Sequence, residues 1–137
     1  MTVKFLEGEK PYRVRKIEVK RSNAIDSVKI SYDDETFWSV GHDGGKADPR
    51  VAVMAEGESI VEVTHEAFYQ KHAVGSGFEF VTNFGRRFIF ETRDLTTKLA
   101  QERVTVKAEE GHEIVGLRIN RGMLLGTTQQ EMSEGSK

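Results

Sequence analysis

Alternation between apolar and polar residues runs through most of the chain and restricts its fold more than any other feature. A period of two places every second side chain on one face of an extended strand, and that face can then be buried. Turn-forming stretches such as GHDGGKADP (41–49) and AEGE (55–58) separate the alternating segments. Eight segments show this period: residues 12–19, 26–32, 50–55, 59–68, 77–84, 86–92, 102–108 and 113–119. Short strands at this spacing predict an all-β sandwich or a closed, barrel-like fold.

The alternating segments also repeat at longer range. Residues 57–63, GESIVEV, align without a gap with residues 111–117, GHEIVGL, and each copy follows an acidic turn and a strand. A third and weaker copy covers residues 14–19. One supersecondary unit used three times predicts three sheets around a pseudo-threefold axis, because each amphipathic sheet then has a partner for its apolar face.

Composition sets the class of protein and excludes several functions. A chain of 137 residues with 37% hydrophobic and 31% charged residues is typical of one globular domain rather than of a disordered segment. The net charge is −2, and the one basic stretch (13–21) alternates with apolar residues as a strand does, so nucleic acid is not expected as a partner. With no cysteine, the chain has neither a disulfide framework nor a thiolate zinc site.

The two ends of the chain carry further expectations. No apolar run approaches the ~18 residues of a membrane span, and MTVKFLEGEK at the start lacks the apolar core of a secretory signal. As written, the chain is therefore expected to be cytoplasmic or to be a module of a longer protein. The stretch RGMLLGTTQQ (121–130) lacks the alternation, so no strand is predicted there. The polar residues 129–137 are interpreted as a tail or linker after a domain of residues 1–128.

Four motifs, taken in their order along the chain, resemble a known family. They are VRKIEVKRSNAIDSVKISYDD (14–34), VGHDGGKADPRVAVMAEGESIVEV (40–63), GFEFVTNFGRRFIF (77–90) and EEGHEIVGLRINRG (109–122). Their order and spacing resemble the jacalin-related (mannose-binding-type) lectin domain over roughly residues 12–122. The resemblance implies a type I β-prism, in which three four-stranded Greek-key sheets are arranged with pseudo-threefold symmetry.

The resemblance also implies how sugars bind. In this family a hairpin loop of the form G-x-x-x-D lies beside a glycine-rich loop. A carboxylate can accept hydrogen bonds from two adjacent sugar hydroxyls, and glycine lets the backbone N–H groups approach closely. Such a site needs neither a metal nor a cofactor.

The principal site of the family corresponds to the C-terminal hairpin and is degenerate in this chain. Its loop consists of Gly122, Met123, Leu124, Leu125 and Gly126, so Gly126 stands where the aspartate is expected. The N-terminal partner stretch, LEGEKPY, holds a single glycine. Without the carboxylate, the resemblance implies that this site has lost sugar binding.

A second site, related to the first by the prism symmetry, corresponds to the first hairpin. Asp26 falls at the acid position, Ser22 replaces the first glycine, and the neighbouring loop 41–46 keeps two adjacent glycines. If the chain binds sugar, the residues expected to do so are Asn23, Ala24 and Ile25 through their backbone, Asp26 through its carboxylate, and Gly44 and Gly45. The alternative is that Asp26 only closes a turn through its side chain. The third symmetric position, 91–98 beside 68–77, lacks the motif.

These observations leave two functions open. The first is a non-enzymatic, metal-independent carbohydrate-binding domain whose ligand is a mannose-like or galactose-like glycan. The second is a β-prism interaction or assembly module that has lost sugar binding and takes a protein partner; a homo-oligomer is compatible with either. No nucleophile elbow indicates an enzyme, and the four histidines show no metal-ligand spacing. Phe37 and Trp38 beside the glycine-rich loop either stack on a sugar or pack in the sheet.

Overall fold

The computed structural model describes residues 13–42, 44–67, 74–92 and 102–132, and every regular element among them is a β-strand. The strands are β1 (Val14–Arg21), β2 (Ile25–Tyr32), β3 (Phe37–Gly41), β4 (Lys46–Ala47), β5 (Ala52–Val53), β6 (Ile60–Glu66), β7 (Gly77–Thr82), β8 (Arg87–Glu91), β9 (Arg103–Lys107), β10 (His112–Asn120) and β11 (Met123–Glu131). The all-β prediction is confirmed.

The strands form three antiparallel sheets. Sheet A has the order β3-β2-β1-β4, with β5 also paired to β1, and sheet B has the order β8-β7-β6-β9. In both sheets three consecutive strands are followed by one that returns beside the first, which is the Greek-key order. Sheet A has five strands because the fourth position is divided between β4 and β5. Sheet C contains β10 and β11 within the described residues, and residues 1–12 lie outside them.

The sequence repeat has a direct structural counterpart. The hairpins β1–β2, β6–β7 and β10–β11 each contain a β-bulge directly after the first apolar residue of the repeated unit. The extra residue of a bulge delays the next inward side chain by one position, so the apolar spacing becomes three instead of two. The first inward residues are Val14, Ile60 and Ile114, and the next ones are Ile17, Val63 and Leu117; all six are buried.

The apolar faces of the three sheets meet in one core. Its largest buried side chains include Tyr32, Phe78, Phe80 and Phe90. The Tyr32 hydroxyl donates a hydrogen bond of 2.6 Å to the carbonyl oxygen of Val115, so it ties sheet A to sheet C. Because burial raises the pKa of this hydroxyl well above its usual range, it remains a donor at every physiological pH.

The C-terminal stretch corrects the sequence interpretation. Strand β11 runs Met123–Glu131 and pairs with β10 along its length, so the expectation of no strand at 121–130 was wrong. Residues 129–131, which were assigned to a tail, form the end of this strand. Gln129, Gln130 and Glu131 pair with Ile114, Glu113 and His112 in that order. The strand forms because β10 presents a long edge whose backbone groups need partners. Its threonines and glutamines are mostly half-exposed, and they therefore leave no apolar alternation in the sequence.

Replacement of one buried acid is expected to stabilise the protein. Glu113 is 1% exposed, and its Oε2 atom has no hydrogen-bond partner among the described residues. Burial raises the pKa of this carboxyl, against the opposing effects of the Gln130 side chain and the charge of Arg13. A raised pKa in the folded state means that the contribution of Glu113 is most favourable below its unfolded pKa and is lost as the pH rises through the folded pKa.

Glu113→Gln is therefore expected to raise the free energy of unfolding by about 1 kcal/mol at pH 8, because it removes a buried carboxylate that is poorly hydrogen-bonded. The gain should shrink at pH 4, where the wild-type side chain is protonated. Thermal unfolding at both pH values measures the difference, and Glu131→Gln on the exposed end of β11 is the control. A gain that does not depend on pH would contradict the assignment to a buried carboxyl.

Candidate functional site

A bulge in the first hairpin places Asp26 beside the glycine-rich loop. The loop between β1 and β2 consists of residues 22–24, and Arg21 pairs with Ile25 while Lys20 pairs with Ser27. Asp26 is therefore the unpaired extra residue. Ile25 and Asp26 are consecutive and both buried, which a regular strand with alternating faces does not allow. The bulge thus turns the Asp26 side chain away from open solvent.

Glycines allow the neighbouring loop to approach this aspartate. Gly45 has a φ of +79°, and a Cβ atom there would overlap Asp26 Oδ2 and lie 2.9 Å from the backbone carbonyl of Arg21. Gly41 has a φ of +100°, and a Cβ atom there would overlap the backbone oxygen of Asp26. Both positions require glycine for conformation and for space. The two loops predicted to form one site therefore do lie in contact.

His42 occupies the accessible side of the Asp26 carboxylate. Its Nε2 atom lies 3.2 Å from Asp26 Oδ1, and its backbone N–H donates to the Asp26 carbonyl oxygen at 3.0 Å. The N–H of Gly44 donates to His42 Nδ1 at 3.0 Å. Because Nδ1 accepts this bond, the neutral ring carries its proton on Nε2, which donates to the carboxylate. The His42 side chain remains 44% exposed, so it lies on the solvent side of the Asp26 carboxylate.

The second oxygen of the carboxylate is closed off. Asp26 Oδ2 is buried, has no hydrogen-bond partner among the described residues, and faces Gly45. With Oδ1 bound to His42, the carboxylate presents no open acceptor to solvent. A sugar hydroxyl that donates to Oδ1 therefore competes with the His42 ring.

An ion-pair cluster around a buried aspartate supports the base of the glycine-rich loop. The Asp48 side chain is fully buried; Oδ2 lies 2.9 Å from Arg21 Nε, and Oδ1 lies 3.1 Å from Arg50 Nε. Burial acts to raise the pKa of Asp48, but the hydrogen bonds from Arg50 and the charges of Arg50 and Arg21 outweigh it and hold the pKa below its usual range. Arg21 also donates to the carbonyl oxygen of Glu91 at 2.9 Å, which ties the loop to sheet B. Sequence reasoning missed this cluster, since its members are dispersed along the chain.

The backbone donors predicted in the first hairpin are partly used elsewhere. The N–H of Ile25 donates to Gly75 and its carbonyl accepts from Val74, both at 2.8 Å. Ile25 therefore offers no backbone group to a ligand, contrary to the sequence expectation. Asn23 is exposed, and the Ala24 carbonyl accepts from the N–H of Ser22 at 2.9 Å. Among the described non-glycine residues only Glu35 and Arg121 have a positive φ, so serine at position 22 fits the loop without strain.

The C-terminal hairpin differs from the five-residue loop that the resemblance implied. Its turn consists of Arg121 and Gly122, with φ values of 51° and 76°, and β11 begins directly afterwards. Arg118 pairs with Gly126 and Ile119 with Leu124, so Leu125 is the unpaired bulge residue. The structural counterpart of Asp26 is therefore Leu125, which is 59% exposed, rather than Gly126. Neither position carries a carboxylate.

Other predicted features are placed as follows. Trp38 packs against the core, whereas Phe37 faces outward beside Lys29, whose Nζ atom lies 4.6 Å from the ring centroid. The third symmetric position involves residues 68–73 and 93–100, which lie outside the described residues. In the part of the chain that the structure describes, no three acidic or histidine side chains are grouped to hold a metal ion. In the same part, no helix is long and apolar enough to cross a membrane.

Three hairpins with matching bulges, two of them in Greek-key sheets, and a carboxylate beside a glycine-rich loop together define a β-prism of the lectin type. The sequence model of the jacalin-like lectin domain matches residues 4–127. The chain belongs to the jacalin-like lectin domain family.

Solved structures share this fold at low sequence identity. PirB matches with a TM-score of 0.70 and 18% identity over 97% of this chain and 33% of its own length, so the chain spans about a third of PirB. A prostate-specific WGA16 glycoprotein lectin matches with a TM-score of 0.65 and 18% identity over 96% of this chain and 99% of its own. AcmJRL, a mannose-binding jacalin-related lectin from Ananas comosus, matches with a TM-score of 0.57 and 20% identity over 85% of this chain and 78% of its own. A sequence comparison with curated proteins gives no significant match.

Proposed function

We propose that the chain is a non-enzymatic carbohydrate-binding domain whose metal-independent site lies between the first hairpin and the glycine-rich loop. The observation that carries the proposal is the close approach of Gly45 to the Asp26 carboxylate, with Gly44 directly before it in the same loop. This contact combines a charged acceptor with backbone that a ligand can approach closely, which is what adjacent sugar hydroxyls require. The family and the mannose-binding of AcmJRL support the same class of ligand.

A sugar that binds at Asp26 has to compete with the His42 ring for the carboxylate. In the free protein Asp26 Oδ1 is already bound to Nε2 of His42 at 3.2 Å. A sugar hydroxyl that donates to Oδ1 replaces this hydrogen bond. The binding free energy gained at Oδ1 is therefore the difference between the new hydrogen bond and the one that is lost. The ring is 44% exposed and therefore has solvent to rotate into, although its rotation also breaks the hydrogen bond from the Gly44 N–H to Nδ1. The proposal therefore includes weak affinity at a single site.

Asp26→Ala is expected to lower the affinity for methyl-α-mannoside or methyl-α-galactoside at least tenfold, because a charge-assisted hydrogen bond contributes about 1.5–3 kcal/mol. His42→Ala removes the competing donor and is expected to raise the affinity about fivefold, on the order of one exposed charge-assisted bond. NMR titration with both monosaccharides measures the affinities. Asp34→Ala is the matched control, since Asp34 is an exposed acid in the β2–β3 turn.

The outcomes separate this proposal from an interaction module without a sugar site. Equal sugar affinity in the wild type and in Asp26→Ala would place any binding elsewhere. The absence of a response in both the wild type and His42→Ala, with unchanged thermal unfolding, would favour the second function, in which the His42–Asp26 pair only fixes the loop. Loss of binding in His42→Ala would show that the ring holds the loop in its binding shape.

A further inference from the structure

A buried histidine at the boundary between sheets A and B has no role in the proposed site. His65 lies on β6, opposite Phe78 on β7 and opposite Val104 on β9, and it is 0% exposed. Its ring centroid lies 4.8 Å from that of Phe78. A titratable side chain enclosed in this way is held in its neutral form, because burial penalises the charged one.

One nitrogen of the His65 ring is hydrogen-bonded and the other is not. Nε2 lies 2.7 Å from the carbonyl oxygen of Val74, and since a carbonyl oxygen can only accept, Nε2 carries the proton. Nδ1 is buried and has no hydrogen-bond partner among the described residues. A second proton on the ring therefore has to enter at Nδ1, where no acceptor compensates its charge.

The Val74 carbonyl belongs to a short segment that joins two sheets, and we call residues 74–76 the junction segment. The N–H of Val74 donates to the carbonyl oxygen of Ile25, and the N–H of Ile25 donates to that of Gly75, both at 2.8 Å. At its other end, the last N–H of the segment donates to the carbonyl oxygen of Glu66 at 2.9 Å. The junction segment therefore connects the first hairpin of sheet A to β6 of sheet B.

The junction segment lies directly against the histidine ring. A Cβ atom at Gly75 would overlap His65 Nε2 and lie 3.0 Å from the carbonyl oxygen of Glu66. The absence of a side chain at this position allows the backbone to approach the ring so closely. On this side the ring is covered by the junction segment, so water reaches it only when the segment moves away.

The charged residues next to His65 and next to its neighbours are paired with one another rather than with the ring. The pairs are Glu66–Arg103 at 2.9 Å, Glu79–Arg87 at 2.6 Å, Asp26–His42 at 3.2 Å and Arg21–Asp48 at 2.9 Å. Burial lowers the pKa of His65, against the opposing effects of the hydrogen bond to Val74 and the charge of Glu66. The closed arrangement therefore prefers the neutral ring.

We infer that His65 and the junction segment form an acid-sensitive switch, in which protonation of the ring releases residues 74–76 and frees the backbone groups of Ile25 beside Asp26. In the open form the ring is hydrated and binds a proton below the ordinary histidine value of 6.5. The closed form does not bind that proton, so the equilibrium shifts towards opening by about tenfold per pH unit below this value. The shift ends at the lower pH at which the closed form is protonated too.

The test is amide hydrogen exchange measured by NMR from about pH 7.5 to about pH 4.5, with rates converted to protection factors. The protection factors of the Val74 and Ile25 amides are expected to fall about tenfold per pH unit below 6.5. The amides of Met54 and Ala108, whose hydrogen bonds lie within sheets A and B, are expected to keep theirs. Equal losses at all four amides would mean acid unfolding of the whole domain and would overturn the inference, as would protection that does not change with pH.

His65→Gln separates the ring from other titratable groups. Glutamine can still donate to Val74 but cannot take up a proton, so the pH dependence should disappear. His112→Gln, which removes a half-buried histidine from β10, is the matched control and should keep the dependence. A dependence that survives in His65→Gln overturns the inference. So does one that is lost in His42→Gln, because it then arises at the Asp26–His42 pair.

A second measurement on the wild-type protein decides the matter if His65→Gln does not fold. The ¹⁵N chemical shifts of the His65 ring are expected to show a neutral ring with its proton on Nε2 for as long as the Val74 amide stays protected. A ring that becomes protonated while this protection is unchanged overturns the switch. Neither measurement requires a sugar, so failure of this inference is separate from failure of the proposed function.

Discussion

Gly45→Ala is expected to lower the free energy of unfolding by about 3 kcal/mol and to remove sugar binding. About 1–2 kcal/mol comes from the positive φ, which an L-residue with a Cβ adopts poorly. The rest comes from overlap of the new methyl group with Asp26 Oδ2 and with the Arg21 backbone, and overpacking of this kind costs about 1–3 kcal/mol. Because the Arg21 backbone is part of β1, it cannot move aside as the tip of a flexible side chain could.

Gly85→Ala is the matched control for this substitution. Gly85 has nearly the same φ, +81° against +79° for Gly45, but a Cβ atom there meets nothing within 4 Å. The control is therefore expected to show only the conformational cost of about 1–2 kcal/mol. Chemical denaturation of both variants measures the difference between them. Equal losses would mean that the Gly45 loop can move away from Asp26, which would contradict the close contact on which the proposed site depends.

Glu58→Gln is expected to lower the free energy of unfolding by about 3 kcal/mol at neutral pH. Glu58 is 2% exposed and connects the turn before β6 to the turn between β7 and β8. Its carboxylate accepts hydrogen bonds from Arg86 at 2.5 and 2.8 Å, from Thr82 at 2.7 Å and from the N–H of Ala55 at 2.9 Å. Removal of one partner from a buried ion pair typically costs about 3–5 kcal/mol, and the partial exposure of Arg86 places this case at the lower end.

The effect of Glu58→Gln depends on pH in a defined direction. Hydrogen bonds from Arg86, opposed by burial and assisted by Ala55 and Thr82, lower the pKa of Glu58 to about 2. A lowered pKa in the folded state means that the stabilisation is fully present above the unfolded pKa of 4.5 and is lost as the pH falls towards 2. The difference in the free energy of unfolding between wild type and variant should therefore be constant from neutral pH down to about pH 5 and should decrease below it.

Glu79→Gln is the control for the Glu58 experiment. Glu79 also pairs with an arginine, Arg87 at 2.6 Å, but the side chain of Arg87 is 59% exposed. Exposed pairs contribute about 0–1 kcal/mol, so the control should lose little stability at any pH. A gap between wild type and Glu58→Gln that does not change with pH would contradict the role of an ionised Glu58.

Much of the fold could be predicted from the sequence, because the alternation of apolar and polar residues is a property of each strand by itself. The repeat at 57–63 and 111–117 also predicted that one hairpin unit is used more than once. The structure explains why its apolar residues are three positions apart, since each hairpin contains a bulge. Strand β11 was missed for the converse reason. Its half-exposed threonines and glutamines produce no alternation, and it forms because β10 presents an edge that needs a partner.

The candidate site was predictable only in part. The sequence by itself determined which positions carry a carboxylate: Asp26 is present in the first hairpin, and residues 122–126 contain no acid. It also determined that the adjacent Gly44 and Gly45 lie in the turn-forming stretch 41–49. These are properties of residue type and local order, which do not depend on the rest of the chain.

Only the tertiary structure decided what surrounds that carboxylate. Asp26 contacts His42 because Ser27 on β2 lies opposite Gly41 on β3. The backbone groups of Ile25 are hydrogen-bonded to residues 74–75, because the segment before β7 lies beside the first hairpin. The physical reason is that hydrogen bonds and charges act at a few ångströms in space. The neighbours of a side chain at that range are set by strand pairing between distant segments, which local sequence patterns do not specify.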